Sequence, residues 1–525
     1  MRSSFALRPA PPPAAPRRGA AARVSPVRGT LSSVALALVL LAGGPAPAAA
    51  AADRPNVLLV FADDLGQRDL GCYGSPFYET PHVDALAARG VRFTQAYAAC
   101  PVCSPTRASL YTGRYPARLP LTDWLKGRRQ PKDSPILHAD YLDELPLDQV
   151  TVAEELKAAG YRTGFMGKWH LGGEGHLPTD QGFDVNVAGW ANGNPGNYFW
   201  PQWQKRVQGL EGEFDGQYIT DLLAKKAAGF VTESSKQDAP WFLCVATYQV
   251  HTPIQAKPDL VAKYEAKRDR LAATDPRFAQ AGGNGRNGNP SIPVQNNPRY
   301  AAMVESLDDL VGTVVGAVEE AGELDNTLIV FFSDNGGLSV SEGPHTPATT
   351  NAPLRAGKGW LYEGGIREPL IVAGPGVAAG RTCDVPVISN DLRATFLTAA
   401  GFEDADPRDG VALNDLLAEP NAPEELPRPL FWHYPHFSNQ GGAPGGAVRE
   451  GDWKLIERYE DGSLELFHLA DDPSERRNLA AENPQKAEEL RATLSAWRRD
   501  VHANMPTANP DYAGPAARPG PVLEP

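Results

Sequence analysis

The stretch Asn56-Val-Leu-Leu-Val-Phe-Ala62, followed at once by Asp63-Asp64, decides the fold. A short, continuously apolar run suits a strand buried on both faces of a sheet, and ligand-type residues follow its end. The same pattern recurs down the chain. Residues 161–166 precede Lys168 and His170, residues 241–248 precede His251, and residues 327–332 precede Asp334-Asn335. Residues 91–97 read as a further strand. Helical periods lie between these runs, at residues 81–88, 151–160 and 299–321. The second opens on the capping box Thr151-Val-Ala-Glu154 and closes at Gly160. Strands alternating with helices predict an α/β fold: a large, mainly parallel mixed sheet sandwiched by helices.

Past Phe431 the pattern changes. Short strand-like runs at 453–456 and 464–469, a turn at Asp471-Asp-Pro473 and an amphipathic helix over 484–502 predict a smaller C-terminal α+β domain, an antiparallel sheet plus a helix. Residues 172–203 and the Gly/Asn-rich 281–297 read as surface loops. The expected organisation is a signal peptide over 1–52, a catalytic domain over 53–425, a C-terminal subdomain over 426–508 and a disordered Pro/Gly-rich tail over 509–525.

The first fifty residues have the order of a secretory signal: arginines, an apolar run from Val34 to Ala42, then small residues with Ala-x-Ala cleavage choices. The apolar run is too short for a stable membrane anchor, so the expected location is exported, periplasmic or extracellular. Net charge is −13, and removing the six arginines of residues 1–51 leaves −19. Nothing here has the basic footprint of a nucleic-acid binder. An acidic surface also repels anions at long range, so any anion site must be a local cluster of positive charge. The five cysteines are an odd number, which flags a thiol with another job. Cys72 and Cys244 read as small buried residues, and no disulfide is assigned to Cys383 or the rest.

In open α/β sheets, ligands bind beyond the carboxyl ends of strands. Four strand ends would bring Asp63, Asp64, Lys168, His170, His251, Asp334 and Asn335 into one crevice. One Asp after a strand is usually a turn or cap; four such sites together favour function. Three carboxylates and an amide oxygen suit a hard cation such as calcium or magnesium. Lysines and histidines suit anion binding and proton transfer.

A second cluster is Cys103-Ser-Pro-Thr-Arg107, with Thr112-Gly113 after it. Pro105 suits a first helical turn, which puts Cys103 at a helix N-terminus, where N–H groups favour anions. Cys100 and Cys103 also form a C-x-x-C, whose bland reading is a redox pair or half a zinc site, but no second pair with zinc spacing exists. Alone, Arg107 could pair with any carboxylate on the next helix, Lys358 could be a solvated loop charge, and Trp169 reads as packing.

These residues resemble the type I, formylglycine-dependent sulfatases of the alkaline phosphatase superfamily. Cys103-Ser-Pro-Thr-Arg107 is similar to their C-x-P-x-R signature, Gly167-Lys-Trp-His-Leu-Gly172 to G-K-W-H-L-G, and Ser333-Asp-Asn-Gly336 to S-D-N-G. Gly357-Lys-Gly359 with Tyr362-Glu-Gly-Gly-Ile-Arg367 resembles the block around their second active-site lysine, and Leu466-Phe-His-Leu469 their C-terminal domain. Gln67-Arg68 departs from the usual Tyr-Gly, at positions that are not ligands.

The resemblance implies that Cys103 becomes formylglycine, made by a formylglycine-generating enzyme. It implies one calcium ion held by Asp63, Asp64, Asp334 and Asn335, with modified Cys103 adding an oxygen. Arg107 would steady that residue, Lys168 and Lys358 would hold sulfate oxygens, His170 would contact the formylglycine, and His251 would face the leaving oxygen. The implied reaction is attack by one hydroxyl of the hydrated aldehyde on sulfur, protonation of the leaving alcohol, and expulsion of sulfate by the second hydroxyl. The expected substrate is a sulfated carbohydrate rather than a small aryl sulfate. Two aromatic stretches are the expected sugar platforms: Trp190, Tyr198, Phe199, Trp200 and Trp203 in residues 172–203, and Trp432-His-Tyr-Pro-His436. The alternative is that these aromatics pack loops onto the core. Rival functions are a formylglycine-dependent phosphoester or phosphonate hydrolase on the same fold, and a non-catalytic glycan-binding protein.

Overall fold

A computed structural model describes residues 54–131, 133–210, 216–279, 294–402, 408–420 and 428–513. The expected signal segment, the Gly/Asn-rich loop up to residue 293 and most of the expected tail lie outside the described residues.

The strands are β1 (Asn56–Ala62), β2 (Val91–Tyr97), β3 (Ile136–Leu137), β4 (Arg162–Gly167), β5 (Val185–Val187), β6 (Trp241–Ala246), β7 (Thr327–Ser333), β8 (Arg367–Ala373), β9 (Arg381–Cys383), β10 (Val387–Ile388), β11 (Leu430–Tyr434), β12 (Gly445–Glu450), β13 (Trp453–Arg458), β14 (Leu464–His468) and β15 (Thr507–Ala508). The helices are α1 (Pro81–Arg89), α2 (Cys103–Thr112), α3 (Val152–Ala158), α4 (Ile219–Ser234), α5 (Pro258–Ala272), α6 (Pro298–Glu320), α7 (Glu363–Ile366), α8 (Asp391–Ala399), α9 (Asn414–Ala418) and α10 (Pro484–Asp500).

One nine-stranded sheet runs in the order β10-β2-β8-β7-β1-β6-β4-β5, with β9 also on β2. β8 is antiparallel to β2 and β7, and the other pairs are parallel. β1 is buried at all seven positions, and its side chains alternate between two cores. Leu58, Val60 and Ala62 join a core filled from α1, α4, α5 and α6. Val57, Leu59 and Phe61 join a core filled from α2, α3, α8 and α9. The sheet is therefore sandwiched by helices, as the apolar runs predict.

The order places β7, β1, β6 and β4 side by side. These are the four strands whose ends carry the polar residues singled out from the sequence. The capping box holds: Thr151 Oγ1 accepts from Glu154 N and Glu154 Oε2 from Thr151 N.

A separate four-stranded antiparallel sheet, β11-β12-β13-β14, packs against α10. Its core includes Tyr97, Cys100 and Val102 from the main body. Lys454 on β13, fully buried, pairs with Glu363 and Glu475, each at 2.9 Å.

Three expectations need correction. Residues 172–203 are not all surface loop, because β5 joins the sheet there and Tyr198 and Trp203 are fully buried. Cys72 is only partly buried. Residue 509, placed in the disordered tail, is tied down: Asn509 N donates to the Pro135 carbonyl and Asn509 Nδ2 to that of Ser134.

Candidate active site

Cys103 is the first residue of α2, and its side chain is buried. Thr106 Oγ1 donates to the carbonyls of Cys100 and Val102 and fixes the turn that starts the helix. Cys100 and Cys103 are both free thiols, so the C-x-x-C is not a disulfide.

Arg107 lies one turn further along α2, fully buried, with its guanidinium 4.8 Å from the centre of the Phe61 ring. Its Nε and Nη2 both donate to Asp334 Oδ2, at 2.9 and 2.7 Å, and Nη1 donates to the Lys168 carbonyl. Arg107 thus ties α2 to the ends of β7 and β4, not to a carboxylate on the next helix.

Asp63 and Asp64 follow β1 directly. Asp64 sits at φ 59°, a left-handed conformation that Asp tolerates better than most residues. Its N–H donates to Asp334 Oδ1, and Asn335 Nδ2 donates to its Oδ1. Two lysines close on the pair: Lys168 Nζ is 2.8 Å from Asp63 Oδ1 and Lys358 Nζ 2.7 Å from Asp64 Oδ2. Lys358 is therefore no solvated loop charge. The loop carrying it is pressed against the segment that follows β7, where a Cβ on Gly357 would come 2.3 Å from the Gly337 carbonyl oxygen.

His170 also has a left-handed backbone, φ 57°. Its Nε2 lies 2.6 Å from the Leu125 carbonyl oxygen, which can only accept, so Nε2 carries the proton. Nδ1 is then an acceptor, 3.4 Å from Cys103 Sγ. Gly193 covers the ring, and a Cβ there would lie 2.4 Å from His170 Cε1. By the same reasoning His251 donates from Nδ1 to the Thr252 carbonyl at 2.8 Å, and its free Nε2 is 3.7 Å from Asp64 Oδ2.

Burial dominates the titration of these groups. It pushes Asp63 well above the ordinary carboxylate range in spite of Lys168, with Asp334 and Asp64 adding to the rise. Burial acts the same way on Asp64, but Lys358, His251 and Lys168 outweigh it and hold that carboxyl low. Burial, then Lys358, lowers His251 to about 3; burial, then Lys168, lowers His170 well below its usual value. Both imidazoles are neutral near pH 7. Burial raises the Cys103 thiol despite the two lysines, so it is no activated thiolate.

The donor set fits a hard cation. Asp63, Asp64 and His251 offer ligand atoms within 4.8 Å of one another. Asp63 Oδ2 and Asn335 Oδ1 are buried oxygens without a hydrogen-bond partner, a costly state that a cation would relieve. Asp334 is held by Arg107 and the Asp64 N–H.

Asp63, Asp64, Cys103, Arg107, Lys168, His170, His251, Asp334, Asn335 and Lys358, singled out from the sequence, converge here. Two contributors were missed because they act through the backbone: the Leu125 carbonyl and the Trp190 carbonyl that accepts from His170 N. Tyr198, expected as a sugar platform, is instead fully buried, and its hydroxyl donates to the carbonyls of Tyr248 and, at 2.9 Å, His251. No sequence signal marks a carbonyl. Trp169 packs on Tyr111, Phe165 and Phe183, as expected. The second aromatic stretch is not a sugar platform. Trp432, His433 and Tyr434 form the buried β11, and His436 is buried beyond its end. Trp432 Nε1 donates to the Ala98 carbonyl, so these rings join the two sheets.

The family model described as Sulfatase matches residues 55–402. The chain belongs to the sulfatase family. It is a sulfuric ester hydrolase. A second model, N-sulphoglucosamine sulphohydrolase, C-terminal, matches residues 356–501 of this sulfatase. A sulfatase from Formosa agariphila is 33% identical, over 86% of this chain and 90% of that one. Arylsulfatase A from Homo sapiens is 33% identical, over 80% and 78%. The crystal structure of Ps i-CgsB in complex with k-i-k-neocarrahexaose is 31% identical with a TM-score of 0.67, over 85% of this sulfatase and 93% of that chain.

Proposed function

We propose that this sulfatase hydrolyses sulfate esters on a sulfated carbohydrate, with Cys103 converted to formylglycine and calcium held by Asp63, Asp64, Asp334 and Asn335. The observation that carries the reading is the meeting of Cys103 Sγ with the acceptor nitrogen of His170, beside acidic oxygens flanked by Lys168 and Lys358. As a thiol, Cys103 is neutral and has no second group with which to expel a bound sulfate. Formylglycine, when hydrated, supplies two hydroxyls, one to attack and one to expel. Calcium, when bound, supplies charge that favours an oxygen nucleophile and draws electron density from the sulfuryl group.

The chain's own residues carry the rest. Lys168 and Lys358 hold the anionic ester and balance charge on its oxygens. His170, neutral with its lone pair on Nδ1, takes a proton at position 103. His251 presents Nε2 to the leaving oxygen; this nitrogen, bare in the neutral ring, must first take up a proton from solvent, which it then gives to that oxygen. Arg107 fixes Asp334 and supplies a permanent positive charge beneath the site.

The carbohydrate assignment draws support from the N-sulphoglucosamine sulphohydrolase match and from the oligosaccharide bound by Ps i-CgsB. Export, proposed from the N-terminal signal pattern, fits a substrate outside the cell. Among the described residues, no helix is long and apolar enough to cross a membrane. The test is release of inorganic sulfate from sulfated oligosaccharides, an aryl sulfate and phosphate monoesters by formylglycine-bearing enzyme. Preference for sulfated oligosaccharides is expected; preference for phosphate esters would overturn the reading.

A further inference from the structure

His170 is held by the carbonyl of Leu125, and the next residue opens a cationic loop, Lys126-Gly-Arg-Arg129. The loop is fixed by three contacts to its backbone and one to the Arg128 side chain. Ser104 Oγ accepts from Leu125 N, Tyr141 Oη donates to the Lys126 carbonyl, Asp123 Oδ2 accepts from Arg128 N, and Arg128 Nη1 donates to the Ser438 carbonyl at 2.6 Å. Gly127 has φ 75° and lies so close to Tyr141 that a Cβ would come 2.0 Å from Oη. The charges are not balanced locally. Lys126 and Arg129 are exposed and Arg128 is half-buried. Among the described residues no carboxylate comes within 4.0 Å of any of the three cationic groups, although Asp133, Asp140 and Asp143 follow in sequence. A fixed loop with three cations, of which Arg128 is held by the Ser438 carbonyl near the buried Asp123 while Lys126 and Arg129 reach into solvent, stands out on a chain of net charge −13.

We propose that Lys126, Arg128 and Arg129 form a subsite for further anionic groups, sulfate or carboxylate, on residues of a polyanionic glycan next to the one being desulfated. This rests on the sulfatase reading above and deepens it: the central pocket binds one sulfate, and the loop selects chains that carry more. Electrostatic contacts of this kind act on capture and weaken with salt. Their loss should show in kcat/KM more than in kcat.

The test compares formylglycine-bearing full-length enzyme with Lys126→Gln/Arg129→Gln, both exposed positions without side-chain hydrogen bonds. A second variant, Lys225→Gln/Lys226→Gln, removes the same charge from an exposed face of α4. Substrates are a polysulfated oligosaccharide, the same oligosaccharide with one sulfate, and an aryl sulfate. The expected result is a fall on the order of tenfold in kcat/KM for the polysulfated substrate, with a flatter salt dependence, and changes under twofold for the other two. The α4 variant should move none of them by more than twofold. Equal losses on all three substrates, or equal losses in the α4 variant, would overturn the subsite. So would unchanged polysulfated kinetics with lost binding to phosphatidylserine-containing vesicles, which would make the loop a membrane contact. Failure of wild-type enzyme to release sulfate from any substrate would instead overturn the sulfatase reading.

Discussion

Nδ1 of His170 faces Sγ of Cys103 at 3.4 Å, and the tautomer that makes it an acceptor is set by the Leu125 carbonyl behind the ring. His170→Gln keeps an N–H for that carbonyl but loses the basic nitrogen. It should lower kcat by about 10²–10⁴-fold, with KM moving much less. Steady-state kinetics on an aryl sulfate checks this, with circular dichroism to show an unchanged fold. A loss confined to KM would place His170 in substrate binding instead.

Tyr198 holds the turn that carries His251 by donating to the carbonyls of Tyr248 and His251. Tyr198→Phe removes the hydroxyl from the partly buried His251 carbonyl and from the Tyr248 carbonyl, which still accepts from His251 N, at a cost of about 0.5–1.5 kcal/mol. Thermal melting should show the loss. Turnover should fall more than affinity if His251 has the leaving-group role proposed for it.

Trp432 is fully buried between the two sheets, with its ring 5.3 Å from that of Tyr97. Trp432→Ala should cost about 3–5 kcal/mol of stability. The KM of the folded fraction for a sulfated oligosaccharide should hold. A raised KM at unchanged melting temperature would restore the sugar-platform role that the buried position argues against.

Removing divalent cations should lower both activity and melting temperature, since Asp63 Oδ2 and Asn335 Oδ1 are buried without a partner. A ligand present at about 100 times its Kd stabilises by about 2.7 kcal/mol. Calcium readdition after chelation should restore both, and elemental analysis should find about one equivalent of a hard cation. Zinc bound through Cys100 and Cys103 would contradict the assignment.

Much of this site was legible in the sequence because strand periodicity and strand ends are local signals. Asp63, Asp64, Lys168, His170, His251, Asp334 and Asn335 each follow an apolar run, and the four strands prove adjacent. What the sequence did not reveal depends on distant partners. β8 joins the sheet antiparallel between β2 and β7, and nothing in its own residues states that direction. The aromatics at 198, 203 and 432 could have faced either solvent or core, and burial was decided by elements far along the chain. The carbonyls that orient His170 and His251 carry no side-chain mark at all.

The proposed chemistry stands on formylglycine at position 103. Mass spectrometry of the tryptic peptide containing Cys103, from enzyme of measured sulfatase activity, tests it most directly. The peptide should be roughly 18 Da lighter than the cysteine form, in a fraction that rises with specific activity. Fully active enzyme whose Cys103 peptide carries only the unmodified thiol would contradict it.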